Sequence, residues 1–222
     1  MKKIYLIMLM IAAMMVSCNP KDEDDNNNSG GNGNNGGGNG QYNGHEYVDL
    51  GLPSGLKWAT CNVGADSPED YGDYFAWGET SPKAEYTYEN SITWGEQMSD
   101  ISGNAQYDAA TANWGESWRM PTKDEMQELL DYCEFEWIQV NGVYGSKVIG
   151  PNGSCIFLPA AGFRDGSSLG DASSNGGYWS STPYDYSNDR YLAYNLVFDD
   201  GYEDVGWYCD RTYGMPVRPI TE

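Results

Sequence analysis

Residues 182–190 read TPYDYSNDR, two phenol rings set among two carboxylates, an amide and a guanidinium. Sugars and similar small polar ligands are held by rings that cover their apolar faces and by flanking groups that take their hydroxyls. The spacing therefore marks Tyr184, Asp185, Tyr186 and Asp189 as ligand-touching candidates, with Asn188 beside them. Trp94, in the irregular stretch 78–103, is the candidate for a further ring. Most other aromatics belong to a core on this reading. Trp58, Trp77, Trp118 and Trp207 are placed there, and Trp114 is placed beneath the irregular stretch.

Catalytic chemistry finds less to work with. A Ser-His-Asp or Cys-His device needs a histidine to carry the proton, and the single one, His45, lies between Gly44 and Glu46. Its position at the head of a strand suits a structural or exposed role. Glycosidase chemistry needs two carboxylates about 5–10 Å apart. Among 33 acids some pair always meets that distance, so the count argues for nothing. No enzyme is expected. Zinc has no C-x-x-C pair to hold it. Residues 199–204 (DDGYED), and Asp185 with Asn188 and Asp189, gather hard oxygen ligands, but D-x-D-x-D-G spacing is missing. The Glu-Pro-Asn and Gln-Pro-Asp tripeptides of calcium-dependent lectins are missing too. No metal or cofactor is expected, and calcium is the one cation this acid content leaves to be checked.

The chain opens with Met1-Lys2-Lys3, an uncharged run over residues 4–16, then Ser17-Cys18. A basic start, a short apolar core and a small residue before the cut describe a secretory signal. Thirteen residues rise only about 20 Å as a helix, short of a hydrocarbon core of about 30 Å. Met15-Val16-Ser17-Cys18 resembles a bacterial lipobox, which makes Cys18 the acylated first residue of the mature chain. The acidic run 22–25 just after it resembles the surface-export signal of Bacteroides-type lipoproteins. Residues 26–40 are all Asn, Gly or Ser, a flexible tether. The expected layout is a signal peptide over 1–17, lipidated cysteine and tether over 18–40, and a single globular domain over 41–222. The expected address is the outer membrane, lipid-anchored, with the domain facing the exterior.

Loss of the two leader lysines takes the net charge from −21 to −23. So acidic a surface repels nucleic acid and anionic lipid. Neither is an expected partner, and the membrane is reached only through the lipid. Four cysteines remain once Cys18 is spent: Cys61, Cys133, Cys155 and Cys209. An even number in an exported domain favours disulfides. Of three connectivities the reading takes Cys61–Cys133 and Cys155–Cys209.

These candidates need elements to hold them. Thirty aromatics and 21 glycines within residues 41–222 describe a turn-rich, largely β domain. Alternation predicts strands over 45–52 and 56–61 and a short one over 74–77. The clearest helix begins at Thr122, with a T-x-x-E capping box to Glu125 and Met126, Leu129, Leu130 and Cys133 on one face. A shorter helix is expected over 105–112. Hairpins follow, with strands over 137–140, 144–149, 154–158, 178–181, 191–199, 202–209 and 216–220. Along 191–199, Leu192, Tyr194, Leu196 and Phe198 share a face.

Five stretches then occur in order: EYVDLGLPSGLKWATCNVGA (46–65), WRMPTKDEMQELL (118–130), FLPAAGFRDG (157–166), YWSSTPYD (178–185) and VRPI (217–220). Together they resemble the Fibrobacter succinogenes major paralogous domain, a family of exported bacterial proteins, from residue 45 to the C-terminus. The resemblance implies a relative of the C-type-lectin-like fold, to which formylglycine-generating enzymes also belong, though no active-site sequence of theirs is seen here. In C-type-lectin-like domains ligands meet long loops, and 78–103 and 182–190 answer to that description. The expectation is an α+β, C-type-lectin-like, β-rich domain with one clear amphipathic helix and long loops. It would serve as a cell-surface, non-catalytic binding module for a glycan or protein ligand. The alternative is a structural or assembly component of a surface appendage or coat.

Overall fold

The structure, a computed structural model, describes residues 39–222. The leader, Cys18 and most of the tether lie outside the described residues. The first strands are β1 (Gly40–Tyr42), β2 (His45–Asp49) and β3 (Lys57–Ala59). Asn43 and Gly44 turn β1 into β2 with φ of 47° and 84°, the positive angles that a two-residue hairpin turn needs. β1 was not expected, because Gly40 closes an Asn/Gly/Ser run. Its glycine is what lets it pair: a side chain at Gly40 would collide with the Tyr47 ring.

Residues 60–108 form no strand. The one expected over 74–77 is reduced to an isolated bridge between Phe75 and Met215. Buried anchors hold the segment instead. The Trp77 indole N–H donates to the Ser180 carbonyl at 2.9 Å, and the Thr93 hydroxyl to the Trp77 carbonyl at 2.6 Å. The first helix, α1 (Ala109–Trp114), starts later than expected because Asp108 caps it. That carboxylate accepts from the backbone N–H groups of Ala110, Thr111, Gly103 and Met120. Burial pushes its carboxyl above the usual range.

The second helix, α2 (Lys123–Tyr132), begins at the expected box. The Thr122 hydroxyl accepts from the Glu125 N–H at 3.3 Å, and the Glu125 carboxylate accepts from the Thr122 N–H at 2.8 Å. Met126 and Leu129 are buried, and Leu130 and Cys133 pack against the same core.

The rest is antiparallel. β4 (Glu134–Val140), β5 (Val143–Ile149) and β6 (Cys155–Pro159) form one sheet in that order. β7 (Phe163–Asp165) and β8 (Ser168–Gly170), neither of them expected, make a small hairpin. β9 (Gly176–Pro183) pairs with β10 (Leu192–Asp199), which also pairs with β11 (Tyr202–Asp204) and β12 (Tyr208–Asp210). β13 (Ile220–Thr221) returns beside β3, so both ends of the described chain share a sheet. The outcome is a β-rich fold with two short helices.

The core divides around the β9–β10 ladder. Tyr178, Leu196 and Phe198 join Trp58 and the α2 residues in one cluster; Trp179 and Ala193 join Trp77, Trp114 and Trp118 in the other. Two readings need correcting. A single strand over 202–209 is instead β11 and β12, parted at Val205, which takes the buried place. Trp207, expected in the core, is 54% exposed, and its indole N–H donates to the Tyr202 hydroxyl at 2.6 Å. The disulfide pairing also fails: Cys61, Cys133 and Cys209 are free thiols. Cys133 closes α2 against the first cluster and Cys209 packs against the second, so both are taken up by apolar packing.

Candidate functional site

β10 alternates, so Leu192, Tyr194, Leu196 and Phe198 share a face as expected. Only the last two are core. Past the first turn of α2 the same face runs out to the surface, and Tyr194 lies there with the Lys123 ammonium 4.1 Å over its ring. Register brings the next ring: Tyr208 of β12 stands opposite Tyr194, and Asp210 opposite Leu192. Tyr184 closes the group, stacked on Tyr208 at 4.1 Å and edge-on to Tyr194 at 5.4 Å. Desolvation among the rings, then the Tyr208 hydroxyl, raises the Tyr184 phenol above its usual value. Tyr194 is raised by desolvation and then by the charge of Asp185. These phenols are neutral donors and acceptors at neutral pH.

Tyr186 is 72% exposed, 6.3 Å from the Tyr184 ring. It opens a short turn over Tyr186–Asn188 whose N-cap, Asp185, makes no side-chain capping bond. The Asp185 carboxylate is exposed beside the rings. Asp189 has a different task. Its Oδ1 accepts from the Tyr191 and Leu192 N–H groups at 2.8 and 3.2 Å, setting the entry to β10. Of the four residues marked in this loop, the structure joins Tyr184, Asp185 and Tyr186 on the surface and turns Asp189 toward the backbone.

Trp94 stands in a second group. Its ring lies 4.6 Å from Tyr191 and 5.4 Å from Tyr88, and its indole N–H donates to Asp210 Oδ2 at 3.3 Å. The two ring groups are therefore joined through β12, by Tyr208 on one side and Asp210 on the other. Sequence reasoning missed Tyr88, Tyr191, Tyr194, Tyr208 and Asp210. Alternation marked Tyr194 as a face residue, but only strand pairing puts Tyr208 beside it.

Arg211 fixes the arrangement from beneath. It is 1% exposed, with its guanidinium 4.5 Å from the Trp77 ring centroid. It donates to the carbonyls of Leu192, Thr93 and Glu96 at 3.0–3.2 Å, which ties the 78–103 excursion to β10. Burial pushes this guanidinium down to about 10, so it stays charged at neutral pH.

The site is an open face. The exposed rings Tyr186, Tyr88, Tyr191 and Tyr208, at 72, 60, 45 and 44%, have free surface to stack on an apolar ligand face. A separate hollow of about 400 Å³ lies at the β2–β3 end, lined by His45, Cys61, Glu46, Asp66 and Trp114 among others. There His45 stacks on Trp114 at 3.7 Å, and burial lowers its pKa. Among the described residues no three His, Cys, Asp or Glu side chains converge to hold a metal ion. In the acidic turn at 199–204, Asp204 instead accepts from the Tyr202 hydroxyl and the Gly206 N–H. No family model, no curated protein and no solved structure matches the chain.

Proposed function

We propose that this chain is a lipid-anchored surface lipoprotein whose β-rich domain is a non-catalytic binding module for a glycan or protein ligand. The observation that carries the reading is the gathering of surface rings from strand β12 and the adjoining loops. Tyr184, Tyr186 and Tyr208 stand there beside Asp185, and Trp94, Tyr88 and Tyr191 stand beside Asp210. The five sequence stretches from residue 46 onward support a relative of the Fibrobacter succinogenes major paralogous domain and of the C-type-lectin-like fold, in which loops meet ligands. The leader and Cys18 support an outer-membrane anchor with the domain facing the exterior.

The purified full chain on glycan and protein arrays tests the site. Changing Tyr184 and Tyr186 to alanine is expected to weaken any hit about tenfold or more, as loss of aromatic anchors does. A hit that the double variant keeps at full strength refutes it. For the anchor, Cys18→Ala is expected to move the protein out of the detergent phase; unchanged partitioning refutes that part. One observation favours the second reading, a structural component of an appendage or coat: the outer edge of β4 pairs with nothing among the described residues.

A further inference from the structure

β4 is a seven-residue strand whose outer edge pairs with no strand among the described residues. It pairs without a break from Glu134↔Ile149 to Val140↔Val143, and carries no proline, glycine or bulge. The connection is the two-residue turn Asn141-Gly142, with φ of 49° and 88°. Such a turn makes Val140 and Val143 the first hydrogen-bonded pair, and bonded pairs alternate along an antiparallel ladder. Glu134, Glu136, Ile138 and Val140 therefore spend their backbone groups on β5. Phe135, Trp137 and Gln139 aim theirs outward: three N–H and three C=O groups without a protein partner among the described residues. An edge of this length, rich in aromatic and β-branched residues, is a template for an added strand.

The side chains say which strand. On the inner face, Phe135 and Trp137 pack on the core cluster. On the outer face, Glu134 and Glu136 are exposed, and Lys147 reaches Glu136 at 3.5 Å. A second copy of this chain would bring a charge of −21 against −21 and set more glutamates along the seam. Like charges placed side by side on neighbouring strands are destabilising. We propose that the β4 edge captures an extended segment of another protein by antiparallel strand addition. That segment alternates apolar residues, laid beside Phe135, Trp137 and Gln139, with lysine or arginine beside Glu134, Glu136 and Ile138. This site is independent of the aromatic face.

The probe is a labelled ten-residue peptide of alternating lysine and valine, titrated into the full chain and followed by fluorescence anisotropy. In the proposed register the valine N–H groups face β4 and the lysine N–H groups face away. N-methylation at the valines is expected to abolish binding, whereas N-methylation at the lysines leaves it within about twofold, since those N–H groups are unused. Glu134→Gln with Glu136→Gln is expected to weaken binding about fivefold, and a glutamate–valine peptide is expected not to bind. Tyr186→Ala leaves the titration unchanged. Absence of binding, or any other response to the two methylation patterns, including equal tolerance of both, overturns the proposal; equal tolerance would mean that an acidic protein merely attracts a polycation.

Discussion

Three thiols sit in three different settings. Cys61 is half-exposed at the rim of the β2–β3 hollow, 3.6 Å from the Thr60 hydroxyl. Burial pushes the Cys133 thiol up to about 12 and the Cys209 thiol up to about 11. The thiolate is the reacting species, so the last two, packed against the core clusters and held protonated, are the slower to react. In the native chain Cys61 is expected to react with a disulfide reagent well ahead of Cys133 and Cys209; mass mapping of the adducts over time checks this. Fast labelling of Cys133 would contradict it. Residue type made disulfides a fair expectation, yet pairing depends on distance, and distance is set by layers that no local pattern encodes. The candidate site divides in the same way. Tyr184, Asp185 and Tyr186 were legible because one loop carries all three. Asp189 also has a structural task that the sequence did not signal: its Oδ1 accepts from the backbone N–H groups of Tyr191 and Leu192, which only the fold brings to it.

Among the elements, α2 was the most legible, because a helix start is written within four residues. Glu125 accepts twice from Arg119, at 2.6 and 2.8 Å, and from the Thr122 N–H. Burial works to raise its carboxyl, but the Arg119 guanidinium and the cap bonds hold it below the usual 4.5. A depressed folded value means the stabilisation is present above about 4.5 and lost as pH falls through the folded pKa. Glu125→Gln is expected to cost about 1 kcal/mol at neutral pH, since the site is partly exposed, and less in acid. Urea unfolding of both proteins at neutral and acidic pH measures the difference; an equal cost at both would contradict the assignment. Strands were read less well than this helix. The expected run over 202–209 alternates well enough, but Val205 is drawn into the core and splits it.

Across the described residues two buried arginines tie distant segments together. Arg218 is 1% exposed and donates to the carbonyls of Ala59, Thr60 and Phe157 and to the Asn62 side chain. Arg211 does the same for the 78–103 excursion and β10. Removing it leaves three carbonyls without their charged donor, so Arg211→Met is expected to destabilise by about 3 kcal/mol. It should also speed amide exchange across 91–101, where Gly95 donates to the Arg190 carbonyl. Exchange unchanged in that segment would mean that something else holds the loop. The sequence by itself determined what short range can encode: the acidic charge, the α2 box, the Asn141-Gly142 and Asp200-Gly201 turns, and the β-rich class. Those follow from charge count, capping and turn chemistry, each settled within a few residues. Only the tertiary structure decided that Tyr208 stacks on Tyr184, that Trp94 reaches Asp210, and that β4 is left at an edge. Each of these depends on which strands pair and in what register, and pairing is set by burial across the whole chain.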